Sequence, residues 1–273
     1  MMNKYTLAEL YKEIEARAPW YQSIDFPEYG ISTTDNPKHA MLDAAWDNKT
    51  EGLSLEEAAR LRPKPKYEEF KAFLPDVNGL EVLEIGSNCG FFSFELAKMG
   101  AKSVVGLDVA DKWLNNARWV KEVLGFDNVD FYNCDFMRFE SVEKIESGLL
   151  SHSDREIPLP NRVFDLVFMS TVLDHLFFPL FSIYKMCRIA RSWVLIDVPI
   201  LDNESQKSLS MARLGIAIDG SHHGFTFSID FLRNYLLRIG IPEDDILIKT
   251  YRAGASAIFI INVKNMKPML EGA

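Results

Sequence analysis

The sequence predicts an α/β fold: a seven-stranded, mostly parallel, doubly wound sheet with an N-terminal helical extension. From residue 80 onward, short apolar runs typical of strands alternate with amphipathic runs typical of helices. Such alternation favours a parallel sheet with helices on both faces. The last two apolar runs are joined only by the short connection 253–255, which predicts an antiparallel pair of strands at the end of the domain.

The first 75 residues differ in pattern from the rest. We predict a helical, lid-like extension over 1–75 and a ligand-binding domain over 76–273. Apolar residues between 7 and 14 have the three-to-four spacing of a short helix. Ser54 and Glu57 have the spacing of a capping box, which predicts the start of a second helix.

Within the domain, each element is bounded by turn-forming residues. We predict strands over 81–86, 103–108, 129–134, 163–170, 193–200, 246–252 and 256–264, and helices over 90–99, 111–124, 178–190 and 231–239. Gly100, Gly125 and Gly240 follow three of these helices, as C-terminal glycines commonly do. The segment 201–228 is predicted to contribute to a ligand pocket together with the extension and the loop after the fourth domain strand.

Composition excludes several classes of function. Lys and Arg number 30 against 39 Asp and Glu, so the net charge is −9, and an extended nucleic-acid-binding face is disfavoured. The three cysteines are far apart, which suggests a reducing, cytoplasmic location and neither a disulfide framework nor a zinc site. No apolar run reaches the roughly 18 residues of a membrane span. We therefore predict no metal and no membrane partner.

One segment carries most of the functional signal. An apolar strand ends in a glycine-containing turn at Gly86 and Gly90, a helix follows, and the next strand ends in Asp108. A glycine turn allows backbone to approach a ligand, and a carboxylate at a strand tip can accept hydrogen bonds from a ribose diol. These parts predict a nucleoside-binding half-site. The alternative for a lone glycine turn is an ordinary connection between strand and helix.

The spacing of the turn distinguishes between nucleoside cofactors. A dinucleotide fingerprint would need glycine at 88 and 91, which are Asn88 and Phe91 here. The run Glu84-Ile85-Gly86-Ser87-Asn88-Cys89-Gly90 instead resembles motif I of class I S-adenosylmethionine (SAM) methyltransferases. That resemblance implies SAM as cofactor and a Rossmann-like methyltransferase fold. It also implies that Ser87 and Asn88 contribute to the cofactor site, and that Glu84 either holds the turn or faces the methionine amino group.

Residues at the ends of the other strands complete the predicted cofactor site. Asp135 is placed to accept the adenine amino group, and Phe136 or Val109 to sandwich the purine ring. Ser170 is placed near the methionine part. For Asp135 the alternative is a capping role in the next turn.

Four residues are candidates for catalysis. Asp174 and His175 follow the fourth domain strand, near the expected position of the methyl group, where either could act as a general base. The alternative is a pair that caps a helix or a loop. His222 and His223 lie in a loop predicted at 221–224, before the last helix, and could orient or deprotonate a substrate hydroxyl, or form a solvated or structural pair.

Aromatic residues of the extension form a candidate lid. Trp20, Tyr21 and Phe26 could cover the cofactor, and we include Tyr21 in the predicted cofactor site. The alternative is that these rings pack the extension onto the domain.

Three longer segments together resemble methyltransferases related to the wobble-uridine tRNA methyltransferases. They read WYQSIDFPEYGIST, SNCGFFSFELAKMGAKSVVGLDV and FDLVFMSTVLDHLFFPLFSIYKMCRIA, and the resemblance covers most of residues 18–200. The sequence departs from the family pattern at Asp174, where the family has tyrosine, and at Gln22, where it has histidine. In the tRNA enzymes that tyrosine helps to hold the carboxylate of carboxy-SAM, which an aspartate would repel. The departure from the family pattern at Asp174 therefore favours plain SAM over carboxy-SAM.

Together these patterns predict a SAM-dependent methyltransferase that modifies an oxygen or nitrogen of a small molecule. One alternative is a tRNA-modifying relative, which the acidic charge balance disfavours. Another is a SAM-binding module that has lost catalysis. Binding of NAD instead of SAM can be tested by comparing the two in one titration. The sequence leaves the acceptor and the oligomeric state open.

Overall fold

The computed structural model describes residues 5–41, 54–148, 159–201, 212–216 and 223–267. The strands are β1 (Asp25–Phe26), β2 (Ile31–Ser32), β3 (Glu81–Ile85), β4 (Ser103–Asp108), β5 (Val129–Asn133), β6 (Phe164–Ser170), β7 (Ala190–Pro199), β8 (Ala212–Ile216), β9 (His223–Phe227), β10 (Ile246–Tyr251) and β11 (Ser256–Asn262). The α-helices are α1 (Leu7–Ala16), α2 (Leu55–Leu61), α3 (Lys64–Phe70), α4 (Phe91–Lys98), α5 (Asp111–Leu124), α6 (Val142–Glu146), α7 (Pro179–Ile189) and α8 (Ile229–Arg238).

Seven of these strands form one mixed sheet in the order β10-β11-β7-β6-β3-β4-β5. The five strands from β3 to β7 pair in parallel, and β11 pairs antiparallel with both β7 and β10. The predicted seven-stranded, mostly parallel sheet with a terminal antiparallel pair is confirmed. The order reverses between β3 and β6, so the carboxyl ends of these two strands flank a crevice of the kind that binds ligands in doubly wound folds.

Local sequence signals explain where several helices begin and end. Ser54 and Glu57 form the predicted capping box of α2, and Thr6 and Glu9 form another at α1. Gly125 ends α5 in the left-handed conformation, which its missing side chain permits at little cost. The predicted boundaries of the domain helices are therefore close to those observed.

The N-terminal segment and the domain share one hydrophobic core layer. Trp20, Phe26 and Phe70 are fully buried in the same cluster as residues of α4 and α5. The Phe26 ring lies 5.6 Å from that of Trp119 on α5, and the Phe70 ring lies 6.0 Å from that of Phe92 on α4. Each such ring, fully buried, stabilises the fold by roughly 1.5–3 kcal/mol. The segment is therefore an integral layer over one face of the sheet.

The prediction of a loop at His223 and Gly224 is wrong, because both residues belong to β9. Strands β8 and β9 pair antiparallel outside the main sheet, and Phe227 forms a bridge with Ile200. Phe227 is 1% exposed, and its ring stacks against those of Phe225 and Phe231. Burial of these rings accounts for an ordered hairpin where the sequence shows only short alternation.

No helix within the described ranges combines the length and apolar character needed to cross a bilayer.

Candidate functional site

A cavity of about 480 Å³ lies at the carboxyl ends of β3, β4 and β6. One wall is formed by residues from the N-terminal segment, among them Tyr21, Gln22 and Arg62. The predicted site residues that line it are Tyr21, Gly86, Asn88, Asp108, Val109, Asp135, Phe136, Ser170 and His175. Its volume lies within the range of about 300–1,000 Å³ that is usual for small-ligand pockets.

Other predicted residues lie outside the cavity wall: Glu84, Ser87, Gly90 and Asp174. Ser87 is fully buried behind the turn, and its hydroxyl has no hydrogen-bond partner among the described residues. His222 lies outside the described residues, and only the backbone of His223 is described. Roles for these residues in cofactor binding or catalysis stay predictions.

The turn between β3 and α4 requires glycine for reasons internal to the protein. Gly86 and Gly90 have φ values of +74° and +89°, and Asn88 between them has +51°. A Cβ atom on Gly86 would overlap the Val172 side chain, and one on Gly90 would lie 2.6 Å from the ring of Phe131. These glycines therefore fit the turn against its neighbours, in addition to any ligand contact that the sequence predicts.

Asp108 is held in place by the backbone around it. Its two carboxylate oxygens accept hydrogen bonds from the backbone N–H groups of Asn88 and Ala110, both at 2.9 Å. Each carboxylate oxygen can accept more than one hydrogen bond, so acceptor capacity remains toward the cavity. These carboxylate acceptors fit the two donor hydroxyls of a ribose diol, and the Asn88 hydrogen bond connects the β3 turn to the end of β4.

Glu84 acts within the protein core. Its carboxyl group is 1% exposed and accepts a hydrogen bond from the Ser93 hydroxyl on α4. Burial raises the pKa of Glu84 to about 8, although the Ser93 hydrogen bond opposes the shift. The carboxyl group therefore connects β3 to the first turn of α4, in line with the alternative that it holds the turn.

The adenine side of the predicted site has an apolar wall and one carboxylate. Phe136 is 3% exposed and Val109 is 67% exposed, and both line the cavity. Asp135 Oδ1 accepts a hydrogen bond from the Met137 backbone N–H at 2.9 Å, so the capping alternative also holds. The buried Lys185 ammonium donates to the Met137 carbonyl at 2.9 Å and fixes this turn from behind.

A buried polar network forms the opposite end of the cavity. Lys66, on α3 of the N-terminal segment, donates to Ser170 Oγ at 2.7 Å, Thr171 Oγ1 at 2.6 Å and Asp197 Oδ2 at 2.8 Å. The side chains of Lys66 and Asp197 are only 8% and 2% exposed. Asp197 also accepts hydrogen bonds from Ser170 and from the Tyr251 hydroxyl. Ser170, predicted to contact the cofactor, is thus engaged by protein groups.

Thr171 has an unusual backbone conformation within this network. Its φ is +54°, in a region where a β-branched residue is strained by about 1–3 kcal/mol. The Lys66 ammonium holds its hydroxyl, and its backbone N–H donates to the Asp197 carbonyl at 2.8 Å. The network therefore holds the end of β6 in a shape that the chain would not adopt by itself.

Asp174 and His175 form a pair at the rim of this end. Asp174 Oδ2 lies 3.5 Å from His175 Nε2, and the two side chains are 13% and 42% exposed. Burial raises the pKa of Asp174, while the charge of His175 opposes the shift. Asp174 Oδ1 is buried without a hydrogen-bond partner among the described residues. This arrangement suits a carboxylate that orients a histidine facing the cavity.

Sequence reasoning missed three polar residues of the N-terminal segment that line the cavity: Gln22, Arg62 and Lys66. Gln22 Oε1 accepts a hydrogen bond from the Phe91 backbone N–H at 3.0 Å, at the first residue of α4. For Gln22 the only sequence signal is the resemblance around this residue, where the sequence departs from the family pattern. Arg62 and Lys66 have no such signal.

Comparison with known proteins agrees with this geometry. Residues 76–204 match the family described as Methyltransferase domain. The tRNA U34 carboxymethyltransferase of Desulfotalea psychrophila is 21% identical over 168 residues, which is 62% of this chain and 39% of that protein. The matched region thus spans well under half of that relative.

Solved structures share the fold at low sequence identity. The N-terminal domain of EvdMO1 with S-adenosylhomocysteine (SAH) bound superposes with a TM-score of 0.63 and 18% identity, over 96% of this chain and 98% of that one. Magnesium protoporphyrin IX methyltransferase from Synechocystis PCC 6803 with bound SAH superposes with a TM-score of 0.54 and 18% identity, over 80% of this chain and 92% of that one. The chain thus contains a segment, residues 76–204, that is similar to the Methyltransferase domain family, and it shares the Rossmann-like fold of these solved methyltransferases.

Proposed function

We propose that the protein transfers a methyl group from SAM to an oxygen or nitrogen atom of a small molecule. The observation that carries the proposal is one continuous cavity of about 480 Å³. It extends from Asp108 and Asp135 at one end to His175 at the other, beneath the N-terminal segment. A nucleoside cofactor and the reactive part of a small acceptor can share such a space, whereas a folded RNA would need an open, basic approach.

The residues present fit the cofactor. Asp108 would bind the ribose hydroxyls, and Asp135 would accept from the adenine amino group. Val109 and Phe136 would contact the two faces of the purine. The turn at Gly86 and its neighbours would face the methionine part.

Within this arrangement the protein has two tasks, positioning and proton removal. SAM supplies an electrophilic methyl group and leaves as SAH once that group is transferred. If the acceptor is a hydroxyl, His175 takes its proton as the new bond to carbon forms, and Asp174 orients the imidazole and stabilises its charged form. A neutral amine can attack without a base, so for such an acceptor His175 only helps to position it.

Cofactor binding is tested first. We expect Asp108→Ala to weaken SAH binding by roughly 1–3 kcal/mol or more, because it removes a charged acceptor and also the hydrogen bonds that order the turn. Calorimetric titration of wild type and variant with SAH, and with NAD as a negative control, measures this. Equal affinity of the two proteins for SAH would remove the ribose assignment, and a wild type that binds NAD but not SAH would overturn the proposed function.

The base assignment makes a separate prediction. For a hydroxyl acceptor found by screening metabolites for a gain of one CH₂, we expect His175→Ala to lower kcat by about 10²–10⁴-fold, the usual contribution of general base catalysis. Asp174→Asn should give a smaller loss and a shifted pH profile. SAH affinity should be unchanged in both variants, measured in the same calorimeter. Wild-type turnover in His175→Ala would exclude it as the base.

A tRNA-modifying activity is the second candidate, favoured by the relative named tRNA U34 carboxymethyltransferase. Against it stand the net charge of −9 and Asp174 in place of the tyrosine that the resemblance leads one to expect. Binding to tRNA that falls steeply with salt would support it. The third candidate is a SAM-binding module that has lost catalysis, and such a module would bind SAH without methylating any acceptor.

One further proposal concerns the N-terminal segment. We propose that 1–75 acts as a cover for the substrate over the 76–273 domain, since its residues form one wall of the cavity. The cytoplasmic location suggested by the cysteines stays a prediction, and the sequence leaves the oligomeric state open.

A further inference from the structure

Arg62 is a buried cation in the wall of the cavity. It lies between α2 and α3, it is 3% exposed, and it lines the cavity next to Tyr21 and Met41. Its Nη2 donates to the Met41 carbonyl at 2.9 Å. Its Nε and Nη1 are buried and have no hydrogen-bond partner among the described residues. A guanidinium in this state carries a large desolvation cost that the described part of the chain does not offset.

The neighbouring charges of the cavity do not compensate Arg62. Lys66, one turn further along, is paired with Asp197. The carboxylate of Asp108 accepts from the backbone N–H groups of Asn88 and Ala110, and that of Asp135 accepts from the backbone N–H of Met137. Across the described ranges, no carboxylate lies within ion-pair distance of Arg62. Among the residues that the structure describes, this cavity arginine thus has no carboxylate as a counter-ion.

The guanidinium is also held rigidly. Its central carbon lies 4.2 Å from the centroid of the Tyr21 ring, a stacking contact that fixes the plane of the group. Together with the Met41 hydrogen bond, this contact holds the remaining N–H groups in one orientation. A fixed guanidinium loses little side-chain entropy when it binds a planar anion, and this favours recognition of carboxylates.

We propose that Arg62, stacked on Tyr21, is the binding site for a carboxylate group of a ligand in this cavity. The inference deepens the proposed function and rests on it. The carboxylate has two possible sources, the methionine part of the cofactor and the acceptor molecule. Either one provides a counter-ion, which Arg62 has none of among the described residues, and hydrogen-bond acceptors for Nε and Nη1.

The experiment compares two nucleosides on wild type, Arg62→Gln and Arg62→Lys. SAH carries the amino-acid carboxylate, and 5′-methylthioadenosine lacks the amino-acid part. If the carboxylate is that of the cofactor, we expect Arg62→Gln to weaken SAH binding ten- to a hundredfold and to leave methylthioadenosine binding unchanged, by calorimetry. Arg17→Gln is the matched control, since Arg17 also lies over an aromatic ring, at 4.8 Å from that of Trp119, but does not line the cavity.

If the carboxylate is that of the acceptor, both nucleosides should bind to Arg62→Gln as they do to wild type. Benzoate and acetate, at constant ionic strength, should then raise the Tm of the SAH-saturated wild type but not that of the SAH-saturated variant. Arg17→Gln should behave as wild type. The proposal is overturned if neither the SAH affinity nor the carboxylate effect distinguishes Arg62→Gln from wild type.

Two further outcomes are also decisive. Should Arg62→Gln fail to fold, Arg62→Lys decides, because lysine keeps the charge but replaces the planar donor set with a point charge. We expect Arg62→Lys to lose severalfold in SAH affinity if the carboxylate is that of the cofactor, or in the rise of Tm with benzoate and acetate if it is that of the acceptor. Wild-type values in both measurements would overturn the proposal. A wild type that binds neither nucleoside would overturn the proposed function itself, and this inference with it.

Discussion

Replacing Lys66 with methionine is expected to lower the free energy of unfolding by about 3–5 kcal/mol, the usual cost of removing one partner of a buried ion pair. The reason is that Asp197, whose side chain is 2% exposed, would keep a buried negative charge without its cation. Ser170 and Thr171 would lose their ammonium donor at the same time. Urea denaturation followed by circular dichroism measures the change.

Two controls separate the buried charge from general damage. The double variant Lys66→Met with Asp197→Asn removes both charges, so it should recover a large part of the loss. Lys64→Met breaks the ion pair with Asp25, whose side chain is 55% exposed, and should cost less than about 1 kcal/mol. If Lys66→Met unfolds at the same urea concentration as wild type, the network does not stabilise the fold as described.

Replacing Gly86 with alanine is expected to cost about 2–4 kcal/mol, the sum of about 1–3 for overpacking and about 1 for a left-handed backbone. The added methyl group would overlap the Val172 side chain, and φ at this position is +74°. Val172 also lines the cavity, so any movement that relieves the overlap changes the site. We therefore expect a lower Tm together with weaker SAH binding.

Gly125→Ala is the matched control for this substitution. Its φ is +72°, close to that of Gly86, but a Cβ atom there would have no neighbour within 4 Å. The Gly125→Ala variant should be destabilised only by the cost of the left-handed backbone, and it should bind SAH with wild-type affinity. Adding Val172→Ala to Gly86→Ala should restore part of the difference. Equal Tm values for Gly86→Ala and Gly125→Ala would show that the Val172 contact carries no cost.

The parts of the site that the sequence predicts are those encoded locally. The turn at Gly86 and Gly90 lies within one run of residues, and Asp108 ends the next apolar strand. Parallel strands then bring such ends to one edge of the sheet, so local patterns suffice to place Asp108, Asp135 and His175 together. The alternation of strands and helices likewise leaves few possible strand orders for the sheet.

Lys66 and Arg62 could not be predicted because nothing near them in the chain signals burial. Lysine and arginine are mostly exposed, and the run KPKYEEF around Lys66 is typical of a surface helix. Both become interior residues only because the N-terminal segment packs over the strand ends. For Glu84 the motif leaves two roles open, and the hydrogen bond from Ser93, a residue of the next helix, favours the role of holding the turn.

The β8–β9 hairpin shows another limit of local patterns. Each strand has five residues, and β9 begins at His223, the second residue of the histidine pair that suggested a loop. What orders β9 is burial of Phe227 against α8 and the bridge to Ile200, which are tertiary contacts. Short alternating runs predict a strand only weakly without such contacts.

The network at the end of β6 joins parts of the chain that are made at very different times during synthesis. Lys66 lies 131 positions before Asp197, and Tyr251 lies 54 positions after it. A nascent chain on the ribosome can therefore form its first parallel strands early, yet lack the hydroxyl that completes the far end of the cavity until Tyr251 has emerged. Competence to hold a ligand is consequently expected only after Tyr251 has been synthesised, well after the first parallel strands.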